Sequence, residues 1–309
     1  MFKKDVNLSD FSNYKIGGKA KYFLRAKTID DIVIAVQKAK AENLPVFILG
    51  GGTNLLIDDK GFDGLVIHLD FNAIGLDGLS LTVEAGVQME DLLKFAIDNG
   101  LSGLEWAGGL PGTFGGAVRG NAGAFGGEIK DLIREVESLD ISKDKPEFLK
   151  RNYDECEFGY RTSVFKKNNG KEIILRAVLN MKKGERDRIK KEVQEKIDYR
   201  NKRHPMEYAN AGSIFKNIDA RKLNEKQLAR FKHVMKTDPF PVIPTAYVVA
   251  ESGLGGRKCG GAMISEKHPN FIVNCGNAKS KDIKELISLV KKTVQNKFDI
   301  YLEEEVIYL

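Results

Sequence analysis

Three short stretches of this chain combine residue types able to do chemistry, and two glycine-dense stretches combine types able to hold a partner for it. The polar stretches are Tyr160-Arg161-Thr162-Ser163, Asn210-Ala211-Gly212-Ser213-Ile214-Phe215-Lys216-Asn217 and Leu302-Glu303-Glu304-Glu305-Val306. Taken singly, Arg161 reads as a surface charge, Ser213 as a turn residue after glycine and Glu305 as one acid in a run, because most polar residues do no chemistry. No Gly-x-Ser-x-Gly elbow surrounds Ser213, which argues against a hydrolase nucleophile. The first glycine stretch, Gly50-Gly51-Gly52-Thr53-Asn54, follows the apolar run Val46-Phe47-Ile48-Leu49. Glycines there let the backbone approach a ligand and leave amides facing phosphate oxygens, so a diphosphate is the natural guest. The spacing of the dinucleotide fingerprint and the Lys-Ser/Thr ending of a P-loop are both missing, and a tight turn explains an isolated triple glycine equally well. The second stretch, Gly103 to Gly127, is too rich in glycine for a regular helix or strand. A loop of that length without function is unusual. Pro111 and the paired glycines pin its shape, and the small residues leave room for a large flat ring.

The elements that must position these residues follow from periodicity. Thr28 can cap a helix whose apolar positions Ile29, Ile32, Val33 and Val36 have helical spacing, with Asn43 ending it. A buried strand over Val46 to Leu49, a strand over Leu81 to Ala85 and a helix from Met89 to Asn99 closed by Gly100 come next. Strand, helix and strand in that order suggest an α/β arrangement. Alternating segments near Ile133–Ile141 and Ile173–Met181 read as further strands of a second lobe. Between Lys182 and Arg203 the chain is dense in charge, yet Ile189, Val193 and Ile197 recur every four residues, as in a helix with one narrow apolar stripe and a solvated charged face. A last helix spans Ser280 to Lys297, with Ile283, Leu286, Ile287, Val290 and Val294 on one side.

A chain of 309 residues exceeds one ordinary domain, so two or three lobes with room for a buried cofactor are expected. Hydrophobic residues make up 42% and charged residues 30%, which excludes disorder as the theme. No apolar run approaches the roughly 20 residues needed to span a bilayer, and the start lacks an apolar signal core, so a cytoplasmic location is expected. Cys156, Cys259 and Cys275 have no metal-ligand spacing and are odd in number; all three read as reduced and structural. A formal charge of +6, with basic residues interleaved among acids, speaks against nucleic acid as a partner and suits a pocket for a small anion.

Taken together, Asn13-Tyr14-Lys15-Ile16-Gly17-Gly18, Gly50 to Asn54, Leu110-Pro111-Gly112-Thr113-x-Gly115-Gly116-Ala117 and Asn121-Ala122-Gly123-Ala124-Phe125-Gly126-Gly127-Glu128 resemble the FAD-binding half of the UDP-N-acetylenolpyruvoylglucosamine reductases, in order and in spacing. The stretches Gly253 to Lys258 and Ile264 to Phe271 resemble that family's substrate domain. Phe125 stands where the family more often has tyrosine, and the short gap between Arg161 and Ser213 is similar to the subclass lacking an inserted lid loop. The resemblance implies an α+β chain: a two-subdomain FAD-binding fold of the vanillyl-alcohol oxidase type (residues 1–75 and 76–200) and an α+β substrate domain (201–298). It also implies that the tail, 299–309, packs back toward the active site. Flavin-binding residues carried over are Gly50, Gly51, Gly52, Thr53, Asn54, Leu55, Gly109, Pro111, Gly112, Thr113, Gly115, Gly116, Ala117, Asn121, Ala122, Gly123 and Ala124. Some relatives of the fold tether the flavin to histidine, but His68, His204, His233 and His268 all lie outside the glycine stretches, so non-covalent FAD is expected.

By the same resemblance NADPH reduces the FAD and departs before a UDP-linked enolpyruvyl sugar enters, with Arg161, Ser213 and Glu305 as the catalytic residues. Reducing an enolpyruvyl ether builds negative charge toward its carboxylate, which a permanently cationic arginine fork is suited to hold. A glutamate can polarise the substrate and a serine hydroxyl can protonate the remaining carbon, provided that Lys216 or a water supports its weak acidity. Tyr160, Arg203, Lys216, Asn217 and His268 are the substrate-binding candidates, His268 being alternatively a buried structural imidazole. No metal is implied. An oxidase on the same fold would explain the glycine stretches but not the Ser213 and Glu305 motifs, and a pure UDP-sugar binder would need no proton donor.

Overall fold

A computed structural model describes residues 2–309, which divide into two compact units. The first comprises residues 2–6, 20–51 and 63–199, and the second 7–19, 52–62 and 200–309.

In the first unit, the strands Lys3–Asn7, Lys19–Ala26, Phe62–Leu69 and Val46–Leu49 lie side by side in that order. The helix Ile29–Ala41 starts where Thr28 predicts: the Asp31 amide donates to Thr28 Oγ1 (3.2 Å) and the Thr28 amide donates to Asp31 Oδ2 (3.0 Å). Such a reciprocal cap is worth about 1 kcal/mol. Ile32, Ala35, Val36 and Ala39 form its buried face, and Asn43 turns into the left-handed region just after its end. Val46–Leu49 runs parallel to Phe62–Leu69 at the sheet's edge and only its Leu49 is buried; the expectation of a fully buried strand fails because, among the described residues, no strand pairs with its outer side.

The larger sheet of this unit has five strands in the order Glu147–Asn152, Ile133–Asp140, Glu172–Asn180, Ser80–Glu84 and Ile74–Asp77, every pair antiparallel. An α/β reading therefore holds only for the small parallel pair, and the chain as a whole is α+β. Glu172 staples three of these strands. It is buried and accepts from Arg151 Nε (2.8 Å) and Nη2 (3.0 Å), from Ser138 Oγ (2.6 Å) and from Asn168 Nδ2 (3.0 Å). A buried carboxylate is tolerated on such terms, because both its oxygens are satisfied and its charge is paired. Burial pushes the nearby Cys156 thiol up to about 12, so it stays protonated. Cys259 is half-buried against a hydrophobic core and Cys275 is exposed, so the structural reading of all three thiols is corrected at Cys275.

The second unit has its own hydrophobic core. Ile283, Leu286, Ile287, Val290, Val294 and Phe298 of the helix Ser280–Phe298 meet Tyr14, Ile16, Leu56 and residues from 211 to 306. Each such side chain contributes roughly 1.5–3 kcal/mol when fully buried. Segments 7–19 and 52–62 join it through specific bonds. Tyr14 Oη donates to Ile272 O (2.9 Å), Asn274 Nδ2 donates to Tyr14 O (2.9 Å), and Asp59 Oδ2 accepts from the Ser280 amide (2.9 Å) and hydroxyl (2.8 Å). An antiparallel sheet of Ala209–Asn210, Ile272–Asn274, Ala262–Ile264 and Lys258–Cys259 packs with them. The tail 299–309 also belongs to this unit, where Ile307–Tyr308 pairs in parallel with Leu55–Leu56.

Candidate active site

The two glycine stretches meet inside the first unit. A Cβ on Gly50 would lie 2.7 Å from Thr113 Oγ1, and one on Gly51 would lie 2.6 Å from the Gly112 Cα, so only glycine lets these segments touch. Part of the second stretch is helical despite its composition. Thr113 caps the short helix Phe114–Gly120 by accepting from the Gly116 amide (3.4 Å), and Asn121 closes it in the left-handed conformation. The expectation that no regular helix forms there fails because Phe114, Ala117 and Val118 anchor the turns in the core. Gly123–Ala124 and Gly127–Glu128 then form a hairpin whose two turn residues, Phe125 (φ 51°) and Gly126 (φ 85°), both take positive φ. Gly109, Pro111 and Gly116 are exposed, Gly112, Ala122, Gly123 and Ala124 half-buried, and Gly115 and Ala117 buried.

Arg161 is tied to this same stretch. It sits at φ 55° in a tight turn closed by reciprocal bonds between Gly159 and Thr162 (3.0 and 3.1 Å). Its Nη2 donates to Gly123 O (2.7 Å), its guanidinium lies 5.2 Å from the Tyr160 ring centre, and Lys166 Nζ donates to its carbonyl (2.8 Å). From the other side Asn121 Nδ2 donates to Gly159 O (2.9 Å), while Asn121 Oδ1 accepts from the Lys130 amide (3.2 Å). The Asn121 side chain is thus occupied in holding the turn. A non-glycine residue kept at positive φ by so many bonds marks a place where position matters more than backbone ease.

Ser213 and Glu305 come together in the second unit. The Glu305 amide donates to Ile214 O (2.7 Å), Phe215 bridges Glu304 in antiparallel fashion, and the Lys216 amide donates to Glu303 O (2.9 Å). The Ser213 loop and the tail therefore lie side by side, joined by an isolated antiparallel bridge, although far apart in sequence. Gly212, at φ 75° with its amide bonded to Asn210 Oδ1 (2.9 Å), aims the chain into that pairing. Asn54 extends it: its Nδ2 donates to Glu305 O and its carbonyl accepts from the Ile307 amide (2.9 and 3.0 Å). Gly52, Thr53, Asn54 and Leu55 lie in this unit, whereas Gly50 and Gly51 lie in the first. Of the three acids, Glu303 pairs with the Lys216 ammonium and Glu304 with Lys291 (2.7 Å) and Tyr308. Burial raises the Glu304 carboxyl, but these two bonds outweigh it and hold it below the usual range.

Lys216 and Asn217 are fixed from behind by Thr245, whose Oγ1 donates to Lys216 O (2.6 Å) and whose amide donates to Asn217 Oδ1 (3.3 Å). Arg203 is exposed at the end of the helix Arg186–Arg203. His268 is half-buried against His204 (5.2 Å between ring centres) and Phe271 (4.7 Å). Burial pushes both imidazoles down to about 4; each also feels a cation, Arg200 and Lys267 at His204 and Lys236 at His268. Asn270, two residues on, is a functional candidate that the sequence does not single out. An amide between Pro269 and Phe271 is recognisable there as a polar residue in an apolar run, but its partners, Ile214 and Phe215, are not.

Comparison with known proteins decides what these sites belong to. Residues 204–309 match the family model described as UDP-N-acetylenolpyruvoylglucosamine reductase, C-terminal domain, and residues 20–143 match the FAD binding domain model. A reductase of that name from Clostridium kluyveri is 37% identical over 305 residues, covering 98% of this chain and 91% of the relative. Another, from Anoxybacillus flavithermus, is 38% identical over 309 residues, covering 98% and 93%. The chain belongs to the UDP-N-acetylenolpyruvoylglucosamine reductase family. In three dimensions it is similar to the UDP-N-acetylenolpyruvylglucosamine reductase of Thermus caldophilus, with a TM-score of 0.77, 30% identity and coverage of 100% and 99% of the two chains. Membership makes the chain a FAD-binding oxidoreductase with the α+β architecture of that family. The first unit fits the flavin: Gly50–Gly51 pack directly on Gly112–Thr113, which any Cβ would prevent, so two stretches of small residues with backbone amides of the kind that bind a diphosphate lie together. Among the described residues no group of three potential ligands could hold a metal ion, and no helix is long and apolar enough to cross a membrane.

Proposed function

We propose that this chain catalyses the NADPH-dependent reduction of UDP-N-acetylglucosamine enolpyruvate to UDP-N-acetylmuramate, in the cytoplasmic stage of peptidoglycan precursor synthesis. Gly50 to Leu55 and the glycine stretch from Gly109 to Ala124 hold FAD non-covalently. Bound there, FAD supplies the hydride that NADPH has delivered. Arg161 grips the enolpyruvyl carboxylate and stabilises the charge that builds on it, a role for which a permanently cationic fork is suited. Glu305 polarises the same group, and Ser213 gives its hydroxyl proton to the remaining carbon, leaving a lactyl ether. Lys216, Asn217, Tyr160, Arg203 and His268 bind the UDP-sugar, which rests in the domain formed by residues 201–298; FAD rests in 1–75 and 76–200. The main-chain bond from the Glu305 amide to Ile214 O is the observation that supports the reading, since it brings the segments carrying Ser213 and Glu305 side by side.

The test is anaerobic NADPH oxidation with and without the enolpyruvyl sugar, in the native chain and in Ser213→Ala. Oxidation that requires the sugar and collapses in the variant supports the assignment. A flavin that NADPH reduces but only oxygen reoxidises would replace it with an oxidase.

A further inference from the structure

We infer that Asn270 is a positioning residue for the Ser213 hydroxyl, acting through the main chain of Ile214 and Phe215. The Ser213 loop is short of ordinary strand partners: it meets the tail on one side only, through Ile214 O and the Lys216 amide. On the other side a single residue stands in for a strand. Asn270 O accepts from the Ile214 amide (2.8 Å), its Oδ1 accepts from the Phe215 amide (3.0 Å), and its Nδ2 donates to Phe215 O (2.8 Å). The carboxamide thus copies the donor and acceptor pair that a neighbouring peptide would present. Asparagine alone suits this position, because aspartate lacks the donor and glutamine is longer by one methylene.

Burial raises the stakes. Asn270 is 3% exposed and Ile214 and Phe215 are 0% and 2%, so no water replaces a lost bond. Ser213 itself lies between this clamp and Gly212, whose φ of 75° and bond to Asn210 fix the entry into the loop. Without the Asn270 carboxamide the segment keeps the Ile214 amide bond to the main-chain carbonyl of residue 270, its tail contacts and its bonds to Thr245, but Phe215 loses both partners on that side and the loop beside Ser213 can shift. Misplacing a reacting group by about 1 Å costs on the order of a hundredfold in rate, whereas binding through other residues is little affected. The inference rests on Ser213 as the proton donor.

The experiment compares Asn270→Ala and Asn270→Asp with the native holoenzyme. Flavin reduction by NADPH and flavin reoxidation by UDP-N-acetylglucosamine enolpyruvate are followed separately, and amide exchange is followed over 213–216. Asn270→Ala is expected to slow reoxidation by about 10–100-fold with the KM for the sugar and the rate of reduction within about threefold of native. Asn270→Asp keeps the acceptor to the Phe215 amide but turns its second oxygen on Phe215 O, so reoxidation is expected to be slowed there too. Exchange of the Phe215 amide accelerates in Asn270→Ala, more than that of the Ile214 amide, whose main-chain acceptor is kept, and the Phe215 amide stays protected in Asn270→Asp. Native reoxidation rates in both variants, or equal losses in reduction, KM and reoxidation, would overturn the inference; if Asn270→Ala does not fold, Asn270→Asp decides by the same rates. Normal turnover in Ser213→Ala would instead remove the proton-donor reading. An inactive Ser213→Ala beside fully active Asn270 variants would remove only the role given to Asn270.

Discussion

The glycine stretch of the first unit and the Ser213 loop of the second solve the same problem, holding irregular backbone in one shape, by opposite means. The first relies on what is absent: without Cβ atoms Gly50 and Gly51 press against Gly112 and Thr113, and local caps and a two-residue hairpin turn finish the shape. The second relies on partners brought from afar, with 210–217 lying between the tail and Asn270. Small residues give closeness, and borrowed hydrogen bonds give direction. The former suits the flavin-holding role proposed for the glycine stretch, and the latter the proposed aiming of the Ser213 hydroxyl.

Substitutions can undo this contrast at either end. Adding a methyl at Gly51 should do the most damage, because the Cβ meets main chain that cannot swing away. Gly51→Ala is expected to cost about 2–3 kcal/mol in denaturant unfolding and to yield protein without bound flavin. On the second side Lys216→Ala removes a cation proposed to bind the substrate; if it does, KM for the UDP-sugar should rise about 10–100-fold, since a bond to a charged group is worth roughly 1.5–3 kcal/mol. Glu303→Gln should change it far less, because Glu303 is 69% exposed and such pairs contribute about 0–1 kcal/mol.

Acid probes the second unit separately. His204 and His268 titrate near 4 in the folded chain, below the ordinary 6.5, because burial disfavours their charge. The unfolded chain therefore takes up these protons first. The stability that the neutral pair contributes is complete above about pH 6.5 and is lost as pH falls toward 4. Thermal melts between pH 7.5 and 4.5 should show this slope, and His268→Gln should flatten it. The smallest effect is expected at Gly120, where a Cβ meets nothing within 4 Å and φ is not positive. Gly120→Ala should raise stability by about 0.5–1 kcal/mol, measurable as a higher melting temperature.

How much of this is legible in the sequence depends on distance along the chain. Helices such as Ile29–Ala41 and Ser280–Phe298 follow from caps and period because their bonds are local. The glycine stretches announce closeness by composition, although not that Gly51 would meet Gly112. Ser213 and Glu305 are visible as types in a family pattern, yet the bond from the Glu305 amide to Ile214 O joins segments far apart in sequence, which no periodicity encodes. Glu172 and Asn270 are hidden for the same reason. Each is a polar residue in apolar surroundings whose partners lie on other strands or loops. The edge position of Val46–Leu49 also depends on which strands lie beside it.

The role of Ser213 is tested most directly in a single turnover: Ser213→Ala is reduced by NADPH without air and then mixed with UDP-N-acetylglucosamine enolpyruvate. With Ser213 as the proton donor, flavin reduction stays native and reoxidation slows by about a thousandfold, the scale of a lost general acid. Reoxidation at the native rate would contradict this and take the proton donor away from Ser213.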